Sequence, residues 1–539
     1  MKKFFKQMVS VLIALIASIG MTACKIERPG PESINESKTQ IYVALYNGGL
    51  GNQWLHKVKE SFEAKYPEYQ VVIDPAKANF DAGNIYNNFS SYEADIFILD
   101  YVENVHYNSW INAGYAADIT DVVYTEKLSE YGENLSIYDK MNDSLKNYFY
   151  NDGKVYAVPW YQASYQTIYD KALFREYELY KDANGEWNDG TDKHFGIDGV
   201  ASYDDGLPRT ISEFMELIEY MKSNDCGVTP YTFYGNADFY VSSYLSSVFA
   251  DYEGKNDFML NLTLNGTDSD LGEITLENGY LLKNGQKGKR FALELAQYIA
   301  SDSKNYSGYA FATSQDDVTA QREYLLSAET NNRIAMLIEG PWWETASKQV
   351  FTDMANKFKD DTYSFGNREF GVMPIPQADD GTSSDERVIC CNSGRSMILV
   401  NGKRNSETIS NAKKFLKYMH SNEALNIEIA YSNVARPYTV DMKAEYLSLM
   451  TPYARELQEV YNSSTVVYEN IANCDFLRYE GQSFCGYLTL FKADSMSLAI
   501  LKNFIPGSSN TVDDYLACMA NDETLYKSVL NEYKQRVGQ

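Results

Sequence analysis

The residue with the clearest chemical prospects in this sequence is a tryptophan. Between Arg333 and Phe358, the run Ile334–Ile338 reads as a strand, Gly340 as a turn, and Pro341 as a first helical position, where a missing N–H costs nothing. In the helix expected from Trp342 onward, Trp343, Ala346, Val350, Met354 and Phe358 share an apolar face. Trp342 falls with Thr345, Gln349 and Asp353 on the polar face. An aromatic on the solvent side of a helix's first turn, just past a strand's carboxyl end, sits where open α/β sheets bind ligands. Its chemistry is stacking, not bond making. Bond-making motifs are scarce. The four histidines, His56, His106, His194 and His420, are scattered and form no H-E-x-x-H pair. There is no G-x-S-x-G elbow and no phosphate-cradling G-x-x-x-x-G-K, and Trp54 stands where a dinucleotide fingerprint needs its last glycine. No C-x-x-C pair exists, so no zinc ribbon is expected. Asp182, Asn184 and Glu186 have calcium-loop spacing, but Trp187 follows where an EF-hand needs glycine, which favours a solvated loop. No metal or cofactor is expected. Paired carboxylates for glycoside hydrolysis stay open, because 74 acids offer many pairs.

The chain of 539 residues is long enough for several domains and carries a net charge of -26. That balance argues against nucleic acid, which is held by lysines and arginines neutralising phosphates. The 45 tyrosines and 25 phenylalanines against 6 tryptophans suit amphipathic contacts, although tyrosine is also ordinary core material. At the N-terminus Lys2, Lys3 and Lys6 precede an uncharged apolar run, Met8–Met21, and small residues then lead to Cys24. This is a secretory signal, too short to span a bilayer comfortably. Met21-Thr22-Ala23-Cys24 resembles a lipobox, so Cys24 is the expected lipidation site. Residues 24–39 read as a flexible tether, and cleavage before Cys24 changes the net charge to -29. Of seven cysteines, six then remain, with Cys474 and Cys485 spaced for a short disulfide loop and free thiols as the equal alternative.

The elements that position these residues alternate. Ile41–Tyr46, Gln70–Ile73 and Asp95–Leu99 read as strands, and Leu55, Val58 and Phe62 recur at helical spacing after the first of them. Thr210-Ile211-Ser212-Glu213 has capping-box form and opens a helix with Phe214, Ile218 and Met221 on one face; Ile409, Ala412, Leu416 and Met419 mark another helix. Short apolar strands between helices imply mostly parallel sheets. Lys181–Pro208 and Asn261–Glu273 read as surface insertions, and the last ~100 residues as helical.

AMLIEGPWWE followed by FGVMPIP at Phe370–Pro376 resembles the strand, turn and return segment of family 1 extracellular solute-binding proteins, the maltose-binding-protein-like receptors of carbohydrate ABC importers. YNGG, FEAKYP, ADIFILD, AGYAADIT, DGKVYAVPW, YDKALF and NAKKFLKYMHSNEA agree in order, over most of residues 40–440. The resemblance implies a type II periplasmic-binding-protein fold: two α/β lobes around a ligand cleft, the first from residues 40–160 plus 377–395, the second from 161–376 plus 396–539. Crossings would fall near Trp160, Pro376 and Arg395. It implies a sugar ligand, no catalysis, an ABC permease as partner, a monomer, and a lipid-held position on the outer face of the cell membrane. A pyranose wants an aromatic plane and planar hydrogen-bonding groups. Trp342 is then the first ligand-contact candidate, with Trp160 and Tyr161 at the first crossing, Asn47 and Asp100 beyond strand ends, and Asn392 and Arg436 beside later segments. Leu99 stands where some sugar-binding relatives carry a tryptophan. The alternatives are a lipid-anchored glycosidase and a glycan-capture lipoprotein without a transporter.

Overall fold

A computed structural model describes residues 33–538 apart from 47, 74–93, 101, 103, 152, 183, 190–203, 224–225, 238, 315, 392–395, 470–473, 487–488, 491–495 and 521–522. The signal segment and Cys24 lie outside the described residues, as do Asn47 and Asn392. The strands of the main sheets are β1 (Thr39–Leu45), β2 (Tyr69–Ile73), β3 (Ile96–Leu99), β4 (Val158–Pro159), β5 (Gln166–Asp170), β6 (Thr229–Phe233), β7 (Ile334–Glu339), β8 (Phe370–Val372), β9 (Val388–Cys391), β10 (Met397–Val400) and β11 (Thr465–Tyr468).

The first sheet has the order β2-β1-β3-β10-β4, with β1 parallel to β2 and β3, and β10 antiparallel to β3 and β4. The second has the order β6-β7-β5-β8, with β6 parallel to β7 and β5 antiparallel to both of its neighbours. β9 and β11 form a separate parallel pair. Every residue of β3, β7 and β10 is buried, as strands covered by helices on both faces must be. Such strands read as unbroken apolar runs, which is why these were legible in the sequence.

Helices fill the layers. α1 (Gln53–Lys65) buries Trp54, Leu55, Val58 and Phe62. α2 (Ile211–Lys222) opens on the expected capping box, with the Thr210 side chain accepting from the Glu213 N–H. α3 (Tyr240–Thr263) kinks at Gly254, and α4 (Lys287–Ser301) packs along it. α5 (Trp343–Ala346) and α6 (Lys348–Phe358) replace the single helix expected there, with a break at Ser347. α7 (Ser406–Met419) buries Ala412, Leu416 and Met419 as its spacing predicts. α8 (Asn422–Ser432) lies on α1, and α9 (Pro452–Ser463) on β8.

The partition of the chain differs from the expected one. The resemblance places residues 396–539 in the second lobe and 377–395 in the first. Instead β10 pairs with β3, and α7 and α8 pack on β1 and α1, so residues 397–432 belong to the first sheet. β9, from the segment assigned to the first lobe, pairs with β11 and packs on α3. Val388–Cys391 and Met397–Val400 are equally apolar, and composition does not say which strand meets which sheet. The chain passes between the sheets at residues 160–165, again between β8 and β10, and again between α8 and α9.

The two expected insertions are more structured than loops. Tyr180–Lys181 pairs with Trp187–Asp189, and Asp182 accepts from the backbone N–H of Asn184 and Glu186, closing its own turn. Residues 190–203 lie outside the described residues. Over Asn261–Glu273, α3 runs on to Thr263 and a hairpin joins Gly266–Asp268 to Gly272–Ile274. The hairpin supports a satellite core in which Leu260, Leu264, Ile274 and Leu282 meet Phe476, Leu477, Tyr526, Leu530 and Tyr533. The helical C-terminus thus has its own packing partner. Cys226, Cys390, Cys391 and Cys474 are free thiols, the second of the two readings open for Cys474; the Cys485 side chain lies outside the described residues.

Ahead of β1 the chain is already fixed. The Asn35 N–H donates to the Gln70 carbonyl Oε1, the Gln70 amide donates to Ser33 O, and the Gln40 amide donates to Asn35 O and Lys38 O. The tether expected to reach residue 39 is held from Ser33. Among the described residues no helix is long and apolar enough to cross a membrane, and no group of three His, Cys, Asp or Glu could hold a metal ion.

Candidate functional site

The second sheet assembles an aromatic wall at one end. β7 ends at Glu339, which pairs with Gln166 at the start of the antiparallel β5, so Tyr165 lies at the same sheet end as Gly340 and Trp342. The parallel β6 ends there too and leads into Tyr234. Trp342 meets Tyr165 edge-on at 5.4 Å, Tyr165 meets Tyr240 at 5.2 Å, and Tyr240 meets Tyr234 at 5.8 Å and Phe239 at 4.7 Å. Gly340 is required by the turn, since a Cβ there would stand 2.5 Å from the Trp342 ring.

Trp342 is 7% exposed, not on the open side of its helix. It precedes α5 as its N-cap, Tyr165 covers it from β5, and the Gly49 backbone of the first lobe approaches its Cδ1. Helical phase describes only the helix that carries a residue, and these covers come from elsewhere. Trp343 is fully buried among Tyr324, Phe351, Phe370 and Tyr453, as the phase predicts.

On the first lobe, Trp160 is 1% exposed. Its indole N–H donates to Leu99 O at 2.8 Å, and its ring stacks on Trp54 at 5.6 Å. The Arg436 guanidinium lies 5.2 Å from the Trp54 ring and 5.6 Å from the Trp160 ring. Tyr161 donates its hydroxyl to Asp100 Oδ2 at 2.8 Å, and Ser396 donates to Asp100 Oδ1. Asp100 thereby ties the end of β3 to two interlobe passages. Arg436 is enclosed: its Nε donates to Glu428 Oε2 at 2.8 Å and its Nη1 to Val434 O at 2.9 Å. Burial pushes the Glu428 carboxyl up to about 7 against the pull of that guanidinium. Of the expected contact residues, Trp160 and Arg436 share one cluster, Tyr161 and Asp100 share a hydrogen bond beside it, and Trp342 stands across on the second lobe.

The sequence reading missed Tyr165, Tyr234, Phe239 and Tyr240. A signal existed in the aromatic density of YTFYGNADFY directly past an apolar strand. It also missed how tyrosines brace the first passage. Tyr438 donates to Pro159 O at 2.6 Å, Tyr468 donates to Gln162 Oε1 at 2.6 Å, and the Ser164 N–H donates to the Tyr461 hydroxyl at 3.0 Å. Residues 159, 162 and 164 are thus held by tyrosines from far later in the chain.

Burial also shifts carboxyls beside the wall. Glu339, at the end of β7, is pushed up to about 8, against N–H bonds from Gln321 and Gly340. Glu344 is pushed to about 7 by burial, against a hydrogen bond from Thr451. Both sit far above an unfolded glutamate, so between roughly pH 4.5 and 8 the folded chain binds more protons than the unfolded one. Their contribution to stability is complete below that window and lost as pH rises through it. His420, pushed down to about 4 by burial, acts oppositely, costing stability as pH falls below about 6.5. The free energy of unfolding should therefore fall between pH 6 and pH 9, by on the order of 1–3 kcal/mol, and Glu339→Gln should flatten that profile. A wild-type profile level across this range would show that these carboxyls are ionised in the folded chain.

Solved structures share this architecture at low identity. A chitin oligosaccharide binding protein matches with TM-score 0.53 and 14% identity, over 92% of this chain and 100% of that one. A probable secreted solute-binding lipoprotein from Streptomyces coelicolor matches with TM-score 0.55 and 13% identity, again over 92% and 100%. Maltose-bound MalE3 of T. maritima matches with TM-score 0.53 and 15% identity, over 90% of this chain and 99% of that one. No curated protein matches the sequence. The model of the bacterial extracellular solute-binding proteins matches residues 48–425, most of the chain, and the chain belongs to that family.

Proposed function

We propose that this chain is the receptor of an ABC importer for a carbohydrate, an oligosaccharide rather than a single sugar, held on the outer face of the membrane by a lipid on Cys24. The observation that carries the ligand class is the wall of Trp342, Tyr165, Tyr240, Phe239 and Tyr234 at one end of the second sheet. Trp342, Tyr165 and Tyr240 are buried, and the half-buried Tyr234 and Phe239 extend the same aromatic surface, which suits a ligand of more than one ring. The names of similar structures, one binding chitin oligosaccharide and one holding maltose, support the same class. If a sugar covers on the order of 100 Å² of Trp342, that contributes roughly 2–3 kcal/mol.

The mechanism is capture without bond making. Two lobes hinge about three passages, and a ligand touching both favours the shut form by its differential contacts. Trp342 supplies the stacking face. Asp100 and Tyr161 supply hydrogen bonds to sugar hydroxyls by exchanging the bond they make to one another. Trp160 and Arg436 act behind them, as a stack that fixes where the first passage leaves the sheet. Asn47 and Asn392, which follow β1 and β9 in the sequence and lie outside the described residues, stay proposed contacts. The first lobe comprises about residues 40–160 and 397–432, and the second most of the remainder. The working receptor is a monomer that delivers its ligand to the permease.

Thermal unfolding and tryptophan fluorescence of the mature chain, measured against maltose, raffinose and chitin oligosaccharides, test the proposal. At a hundredfold excess over Kd a bound sugar adds about 2.7 kcal/mol, enough to raise Tm by about 2–3 °C in a chain of this length. If the sugars produce no shift while an amino acid, peptide or polyamine does, the ligand class is wrong.

A further inference from the structure

Trp342 caps a helix of one turn, too short to orient itself. The Ala346 N–H donates to Trp342 O at 2.9 Å and the Ser347 N–H to Trp343 O at 3.0 Å, and a single turn of such bonds offsets little of the cost of nucleating it. What fixes α5 must come from other elements. On one side Trp343 enters the core against Phe370, and the Glu344 carboxyl accepts from the Thr451 hydroxyl. A further tie comes from the helix Asp317–Leu326, which buries Ala320, Gln321, Tyr324 and Leu325. Gln321 Nε2 donates to Glu339 Oε1 at 2.8 Å, the Ser347 hydroxyl donates to Gln321 Oε1 at 2.9 Å, and the Gly340 N–H donates to Glu339 Oε2 at 2.6 Å. One buried amide thus joins the turn that enters α5 to the residue that closes it. Gln321, Glu339 and Ser347 are each at most 2% exposed, so none of them can touch a ligand. Trp342 and Thr345 face the first lobe, beside Gly49 and Gly51.

Resting on the reading of Trp342 as the stacking face, we propose that Gln321, Glu339 and Ser347 are positioning residues for sugar binding: their hydrogen-bonded chain sets where the Trp342 ring stands. Packing alone does not call for them. Polar partners replaced together by apolar groups of the same shape can leave stability nearly unchanged, but apolar contacts are non-directional and hold a volume rather than an angle. The chain fixes the angle of α5 from both of its ends, and Tyr165 meets the Trp342 ring edge-on from β5. A ring held in place spares a ligand the cost of ordering it, which for one side chain is a factor of roughly 2 to 10 in affinity.

Fluorine NMR of the mature chain carrying 5-fluorotryptophan reports on the ring without any sugar. The Trp342 resonance is assigned by its loss in Trp342→Phe, and the first-lobe Trp110 serves as reference. Gln321→Leu cuts the chain of bonds in its middle, Glu339→Leu cuts it at the entry to α5, and Ser347→Ala removes a single hydroxyl at the exit, the change least able to unfold the protein. In the folded variants, checked by circular dichroism and Tm, the Trp342 resonance should shift or broaden while that of Trp110 stays. Calorimetric titration with the sugar that binds wild type should show affinity lowered roughly 2- to 10-fold. Glu339→Gln should rescue both readouts: its amide donates to Gln321 Oε1, the Gln321 amide turned round donates to the Ser347 hydroxyl, and the Gly340 N–H keeps its acceptor. A Trp342 resonance unmoved in every folded variant, or moved as far by Glu339→Gln as by Glu339→Leu, overturns the positioning role whether or not sugars bind. An unchanged affinity where the ring has moved overturns it as well. Resonances that behave as expected, with no sugar binding to wild type, retain the placement of Trp342 by this chain and remove the ligand class.

Discussion

Arg436→Ala should lower the free energy of unfolding by about 3–5 kcal/mol, among the largest losses available to a single side chain here. The Arg436 side chain is fully enclosed and Glu428 is 4% exposed, so the change strands a carboxylate in a dry interior. One Glu428 oxygen already lacks a hydrogen-bond partner, and the other would lose its own. The guanidinium also leaves its position between the Trp54 and Trp160 rings. Urea denaturation at pH 7 measures the loss. Because burial has pushed Glu428 to about 7, its protonation at pH 5 should return part of the stability in the single variant. Arg436→Met with Glu428→Leu should return most of it at either pH, because no charge is then left alone. A loss below about 1 kcal/mol in Arg436→Ala would mean that water reaches the pair.

The adjacent tryptophans should separate in kind. Trp343→Ala removes a fully buried ring packed against Tyr324, Phe351, Phe370 and Tyr453, and should cost about 3–5 kcal/mol of stability. Trp342→Ala touches fewer core partners. Its main expected effect is a loss of sugar affinity of roughly 2–3 kcal/mol, about 30- to 150-fold, with a small change in Tm. Calorimetric titration alongside thermal unfolding distinguishes the two. Equal stability losses in both variants would place Trp342 in the core rather than at a platform.

The sequence was informative where physics is local. β3 and β7 were legible because doubly covered strands are continuous apolar runs, α2 because its capping box is a contiguous pattern, and Trp343 because helical phase fixes one side of a helix. Non-local questions were not legible. Val388–Cys391 and Met397–Val400 look alike, and which one joins the first sheet depends on partners far along the chain. Trp342 precedes α5 instead of lying on its polar face, and a glycine loop from the other lobe and Tyr165 cover it. The abundance of tyrosine was ambiguous by composition. Tyr438, Tyr461 and Tyr468 resolve part of it, because a phenol can fill a dry interior and still bond a passage whose backbone has left its sheet.

The clamp on Ser33 and Asn35 decides how this receptor would be leashed. Eight residues lie between Cys24 and Ser33, so a lipid on that cysteine would reach at most about 30 Å from the fixed chain. The clamp sits beside the amino ends of β1 and β2, the pole of the first lobe opposite the strand ends that face Trp342. With a lipid on Cys24 the receptor would be held by its heel on a short cord. Left upright on that cord it would open away from the bilayer, so meeting a permease requires it to topple onto a flank, and the anchor limits which flanks can come down first.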